Sequence, residues 1–265
     1  MGGESETILG TWMRARGNRD QLFLATKMGF GYQDVPTSAS VKSVISECER
    51  SLQRLNTDYI DLLYIHADDP ATPFAETLGA LATLKEAGKI RYIGASNYKT
   101  ERLVMASEAA TAAGLEPYQC IQQRHTFLRP GPDVETFPQI VADGELVSYC
   151  ASTPMQLLAY SPLLGGYFSD PTQPPPDGYR TSANAARCET LLEICAETGA
   201  TGNQVVLAWM MQSAPTVIPL LGVSTTNQLN ENLCALDLSL NPDQIRRLDA
   251  AWTNAPPAPS PDGTS

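Results

Sequence analysis

Short apolar runs of strand length alternate with amphipathic stretches of helix length along most of the chain, and each crossover takes roughly 30 residues, enough for a right-handed parallel βαβ unit. Six runs read as strands: 22–26, 59–65, 90–95, 119–123, 156–160 and 216–221. Helices are expected over 38–55 with Ser38 as N-cap, over 74–87 closed by Gly88, and over 100–113 closed by Gly114. A further helix over 5–16 has Ile8, Leu9 and Trp12 on one face, but no strand precedes it. The pattern is that of an α/β protein, a (β/α)8 TIM barrel. Such a barrel closes with eight strands, so six imply one whose first two strands are missing, over residues 1–254. The Gly- and Pro-rich segment 164–187 reads as a long loop over one end, and 255–265 as a disordered Pro-rich tail.

Composition narrows the function. Of 265 residues, 43% are hydrophobic and 18% charged, which allows a sizeable core. The net charge of -11 opposes binding to nucleic acid or to an anionic membrane, although helix N-termini still provide local anion sites. Cys48, Cys120, Cys150, Cys188, Cys195 and Cys234 form no CxxC pair and read as reduced core thiols. His66 and His125 lie far apart, so no metal site is expected. The chain has neither a long apolar run nor a signal-peptide pattern, which points to the cytoplasm. Nothing in the sequence fixes the oligomeric state, and an oligomer is compatible with it.

Active sites of (β/α)8 barrels lie at the C-terminal ends of the strands. Lys27, His66, Ser96, Asn97, Gln122, Tyr160 and Ser161 all fall at or near such ends. Singly, Lys27 reads as a solvated lysine and His66 as a hydrogen-bonded core histidine. Together they point to polarisation of a carbonyl, with a cation that lowers a neighbouring acid's pKa and an imidazole that donates to the substrate oxygen.

Six segments carry a family resemblance, in order: Gly-Glu-Ser-Glu (3–6), Ala-Thr-Lys-Met-Gly (25–29), Tyr-Ile-Asp-Leu-Leu-Tyr-Ile-His (59–66), Ile-Gly-Ala-Ser-Asn-Tyr (93–98), Ala-Tyr-Ser-Pro-Leu (159–163) and Ile-Pro-Leu-Leu-Gly-Val-Ser (218–224). From residue 2 to about 252 the chain resembles the aldo-keto reductases. The resemblance implies an NADP-dependent enzyme that reduces a small aldehyde or ketone, with NAD also compatible. It makes Lys27 and His66 the catalytic lysine and histidine. Ser96, Asn97 and Gln122 would bind the nicotinamide carboxamide, and Tyr160 would stack on its ring. Ser161 and Leu163 would touch the pyrophosphate. Gly222, Ser224, Gln228, Glu231 and Asn232 would hold the adenosine end, with the helix from Thr225 turned to a 2'-phosphate.

Two departures stand out. The family's proton-donating tyrosine and its aspartate partner lie upstream of Gly-Glu-Ser-Glu, where this sequence starts, so the chain reads as N-terminally truncated. No Arg or Lys falls within 224–232, where relatives place one near the 2'-phosphate. His125 replaces a tyrosine beside the cofactor strand and reads as a packing substitution. Tyr32 and Tyr98 lie in loops that could approach the same mouth, but nothing in the sequence puts either hydroxyl beside Lys27. The alternatives are a dinucleotide-binding sensor or partner protein with impaired catalysis, and a truncated enzyme of dehydration or isomerisation that uses His66 and Lys27. Retention of Lys27 and His66 favours an enzyme, because cofactor affinity requires neither.

Overall fold

A computed structural model describes residues 2–31 and 37–253, so Tyr32 and the 255–265 tail lie outside the described residues. The chain divides into two units. The first comprises Met1–Gln123, Pro138–Ile140 and Ser152–Gln156, and the second Arg124–Phe137, Val141–Ala151 and Leu157–Ser265.

In chain order the first unit carries α1 (Glu4–Arg16), β1 (Ala25–Met28), α2 (Val41–Leu55), β2 (Ile60–Ile65), α3 (Phe74–Glu86), β3 (Ile90–Ser96), α4 (Thr100–Ala113) and most of β4 (Cys120–Arg124). Consecutive strands pair in parallel: β1 with β2, β2 with β3 and β3 with β4. All six residues of β2 are buried, as expected of a parallel strand covered on both faces. Val44, Cys48, Leu52 and Leu55 recur at helical spacing and form the buried stripe of α2.

Three local expectations for this unit need correction. β1 begins at Ala25 and not at Leu22, because the preceding run bonds elsewhere. Arg19 Nη1 donates to the Leu22 carbonyl at 2.9 Å, and Leu24 N–H donates to Asp61 Oδ2 at 2.9 Å. Lys27 therefore lies inside the strand. The N-cap of α2 is Ser40, whose hydroxyl accepts from Ser43 N–H, while Ser38 Oγ accepts from Ser40 N–H at 3.2 Å.

The third concerns α1, which buries Gly10 and Met13 while leaving Ile8 70% and Trp12 42% exposed. Its inward stripe is Glu6, Gly10, Met13, at spacings i, i+4, i+7. Glu6 accepts from Thr26 Oγ1 at 2.6 Å and from Arg54 Nε at 2.5 Å. A Cβ on Gly10 would stand 2.6 Å from the backbone oxygens of Arg54 and Leu55. Close backbone approach, not apolar periodicity, orients this helix.

The second unit carries α5 (Gly144–Ser152), β5 (Gln156–Tyr160), a 3-10 turn over Leu164–Ser169, α6 (Ser182–Thr198), α7 (Gly202–Gln212), β6 (Val217–Pro219), α8 (Thr226–Leu233) and α9 (Pro242–Thr253). β5 and β6 pair in parallel. In α7 the run Val205 to Met210 is buried all round, which makes it the core helix of this unit. His125 and Phe127 pack against Trp209, with Trp252 at 5.1 Å from the His125 ring.

The expected loop over 164–187 is shorter than its composition implies. It opens with the 3-10 turn and ends at Ser182, where α6 starts. Asn184 fixes that start, its Nδ2 donating to the carbonyls of Arg129 and Tyr179 at 2.7 Å each. Arg187 bonds the Ala251 carbonyl at 3.0 Å. All six cysteines are free, but Cys195 is half-buried and Cys234 is exposed, so the core reading holds for only four of them. No helix among the described residues is long and apolar enough to cross a membrane.

Candidate functional site

Register aligns the candidate residues of the first unit. Lys27 pairs with Tyr64, Tyr64 with Gly94, and Gly94 with Cys120, which defines one level of the sheet. Ser96 pairs with Gln122 one level higher, and His66 lies just past the end of β2, its N–H donating to the Met28 carbonyl at 2.8 Å. Side chains alternate along a strand while register partners share a face. His66, Ser96 and Gln122 therefore share a level, directly above Lys27 and on its face.

Ser96 and Gln122 are buried and His66 is half-buried. Burial, and then the positive charge of Lys27, lower the His66 pKa to about 4, so the imidazole is neutral near pH 7. Lys27 keeps exposed area, yet protein packed around it strips hydration from the ammonium and lowers its pKa. The Phe30 ring lies 5.1 Å from that of His66 and covers one side of it.

Asn97 follows β3 at φ 56°, a left-handed conformation that asparagine tolerates better than most residues. Its Nδ2 donates to the His66 carbonyl at 3.0 Å and to Ser96 Oγ at 3.2 Å, and its Oδ1 accepts from Ile140 N–H at 3.2 Å. Asn97 thus braces the strand ends with the amide that the resemblance turns toward a carboxamide.

Tyr64 is a residue that the sequence reading passed over. It shares Lys27's level and is 1% exposed. Burial raises its pKa, and the hydroxyl lies near Cys120 and Gln122. The signal available in the sequence was its place two residues before His66, on the same face. Tyr98 is buried with its ring 5.8 Å from that of Tyr118, so it does not stand beside Lys27.

In the second unit, Ser161, Leu163, Gly222, Ser224, Gln228, Glu231 and Asn232 line one cavity of about 640 Å³. Tyr160 ends β5 and is not among the lining residues. The backbone at the rim is unusual, with Ser161 at φ 54° and Leu164 at φ 48°, ahead of two glycines that also line the cavity, Gly165 and Gly166. Strained non-glycine residues of this kind cost about 1–3 kcal/mol each and cluster at ligand sites.

The floor is set by two capped helices. Thr225 caps α8 by accepting from Gln228 N–H at 3.2 Å, and Gln228 Oε1 accepts from Ser224 and Thr225 N–H at 2.9 and 3.2 Å. Thr201 caps α7 in the same way and donates its hydroxyl to Glu231 Oε1 at 3.1 Å. A Cβ on Gly202 would stand 2.4 Å from the Phe168 carbonyl, so glycine is what lets α7 reach the cavity wall. Asn203, the next residue, lines the cavity and was also missed. Its signal, a polar residue in the first turn of an otherwise apolar helix, is also that of a cap. No Lys or Arg is among the lining residues.

Parallel strands alternating with helices, and polar groups gathered at strand C-terminal ends, define the (β/α)8-barrel class, of which the described residues form six strands. The aldo/keto reductase family profile matches residues 2–253, and the chain belongs to that family. It is 31% identical over 257 residues to aldo-keto reductase str7 of Strobilurus tenacellus, covering 92% of this chain and 72% of that protein. It is 30% identical over 262 residues to norsolorinic acid reductase A of Aspergillus parasiticus, covering 94% of this chain and 65% of that one. The chain thus spans about two thirds of the length of such relatives. Among solved structures, the thermostable aldo-keto reductase Tm1743, crystallised with the inhibitor epalrestat, matches with a TM-score of 0.71 at 29% identity, covering 94% of this chain and 78% of that one.

Proposed function

We propose that the chain is an NADPH-dependent oxidoreductase that reduces a small aldehyde or ketone to the alcohol. The observation that carries this reading is the Lys27–His66 pair. Burial, and then the charge of Lys27, hold the half-buried His66 imidazole neutral in a row of polar groups at strand ends, one level above Lys27. Neutral imidazole can donate N–H to a carbonyl oxygen, and the Lys27 charge favours the negative charge that develops there.

A bound nicotinamide dinucleotide would supply the hydride. Ser96, Asn97 and Gln122 are assigned to its carboxamide and Tyr160 to its ring. Ser161 and Leu163 are assigned to the pyrophosphate, and Gly222, Ser224, Gln228, Glu231 and Asn232 to the adenosine end. The second-unit residues suit that role. Their cavity of about 640 Å³ falls within the usual range for small-molecule sites, and it contains an unpartnered buried amide.

NADP rather than NAD is proposed because one relative, at 29% identity, is the aryl-alcohol dehydrogenase [NADP(+)] of Phanerodontia chrysosporium. No Lys or Arg of the described residues lines the cavity, and Glu231 adds a carboxylate. A charge-assisted bond is worth about 1.5–3 kcal/mol, so its lack makes the expected preference for NADPH over NADH smaller by about tenfold or more than in a protein with a cation there. The test is fluorescence titration of the protein with each cofactor, followed by NADPH oxidation with a nitrobenzaldehyde for wild type, Lys27→Met and His66→Gln. No binding of either dinucleotide overturns the reading, and equal affinity overturns the NADP assignment.

A further inference from the structure

Asn203 is 6% exposed, lines the second-unit cavity, and its Oδ1 has no hydrogen-bond partner. Burying a polar atom without a partner is costly, so such an atom at a cavity wall calls for an explanation. Its surroundings narrow the choice of partner. Three side-chain amides line this cavity: Asn203, Gln228 and Asn232. Gln228 is already committed, its Oε1 accepting from two backbone N–H groups, which leaves only a donor to offer. Glu231, the one ionisable lining residue, bonds Thr201 and Gln204 on either side of Asn203, so the Asn203 end of the cavity suits a neutral polar ring, apart from the Ser161 and Leu163 stretch assigned to the pyrophosphate.

A carboxamide presents a donor and an acceptor side by side, the complement of the N6–H and N7 edge of adenine. We propose that Asn203 is a specificity residue that reads this edge, Oδ1 accepting from the 6-amino group and Nδ2 donating to N7. The proposal deepens the dinucleotide reading above and rests on it. Gly202 is part of the device, since only a residue without Cβ lets the first turn of α7 approach the Phe168 carbonyl and bring Asn203 to the wall.

The test compares binding of NADPH and its hypoxanthine analogue, in which a keto oxygen replaces the amine, to wild type and Asn203→Ala by fluorescence titration. A good bidentate amide–adenine pair discriminates by about tenfold. Wild type should prefer the adenine form by about that factor, and Asn203→Ala should lose the preference by weakening the adenine form more than the hypoxanthine form, which keeps N7 as an acceptor. Equal weakening of both forms, or no change in either, overturns the role of Asn203 while leaving the dinucleotide reading intact. Failure of wild type to bind either form overturns both. The melting temperature of the unliganded protein provides a second readout. Asn203→Ala should leave it unchanged or raise it, because the amide has no partner to lose, and a fall would make Asn203 a structural residue and overturn the proposal.

Discussion

Asn97 joins two strand ends of the candidate site: its Nδ2 donates to the carbonyl oxygen of His66 at 3.0 Å, while its own N–H donates to Gln123 Oε1 at 3.0 Å. Gln123 in turn donates to the Tyr98 carbonyl at 2.9 Å. The ends of β2, β3 and β4 are thereby held together by buried amides as well as by the ladder.

Asn97→Ala should therefore destabilise the protein by about 2–4 kcal/mol, through lost hydrogen bonds and a left-handed backbone that alanine disfavours. Asn97→Gly should recover about 1 kcal/mol of that, since glycine relieves only the backbone strain. Urea unfolding of the three proteins measures both effects, and equal stability of the two variants would remove the strain argument.

The coupling of Lys27 to His66 can be read directly. Lys27→Met should raise the imidazole pKa from about 4, yet leave it below the ordinary 6.5, because burial is the larger cause and persists. Titration of the His66 ring protons by NMR tests this, and an unchanged pKa would show that the two groups are not coupled.

His125 predicts an acid-sensitive core. Burial, and then the charge of Arg129, lower its pKa to about 4. Between pH 6.5 and about 4 the unfolded chain binds a proton that the folded one does not, so stability falls as pH falls through that window. The limit is about 1.4 kcal/mol per pH unit for one such group, and above pH 6.5 the residue contributes no pH dependence. His125→Phe keeps an aromatic ring against Trp209 and Trp252 and should lose less stability between pH 7 and 4.5 than wild type does. Parallel losses in the two proteins would exclude His125 as a cause.

Gly10→Ala should destabilise by about 1–3 kcal/mol even though alanine is the better helix former, because its methyl meets the backbone of α2 rather than a side chain that could move. Thermal unfolding decides it, and a stabilised variant would mean that α1 is not held at that contact.

Among the described residues Lys27 makes no hydrogen bond to a tyrosine hydroxyl: that of Tyr64 lies near Cys120 and Gln122, and Tyr98 packs against Tyr118. Aldehyde reduction by a polypeptide of these 265 residues should be about 10²- to 10⁴-fold slower than that of a chain extended upstream with the family's tyrosine and aspartate, the usual contribution of positioned proton transfer. Comparable turnover by the two forms would refute the need for that donor.

The sequence by itself determined the elements and their order. Apolar periodicity located six parallel strands, Gly114 closed α4 at φ 65°, and Thr225 capped α8, because each of these depends on residues within a few positions of one another. The candidate residues were legible for the same reason, since a strand's end and a motif's order are properties of the chain.

Tertiary structure decided what depends on partners far away in sequence. The hydrogen bond of Leu24 to Asp61 delayed the start of β1 and put Lys27 within it, and the backbone of Arg54 and Leu55 chose which face of α1 is buried. Whether an amide is spent or free was equally beyond the sequence. Asn97 is engaged by His66, Ser96 and Ile140, whereas Asn203 Oδ1 is left without a partner at a cavity wall. A hydrogen bond forms only where folding brings both partners within about 3 Å, and no local pattern encodes that meeting.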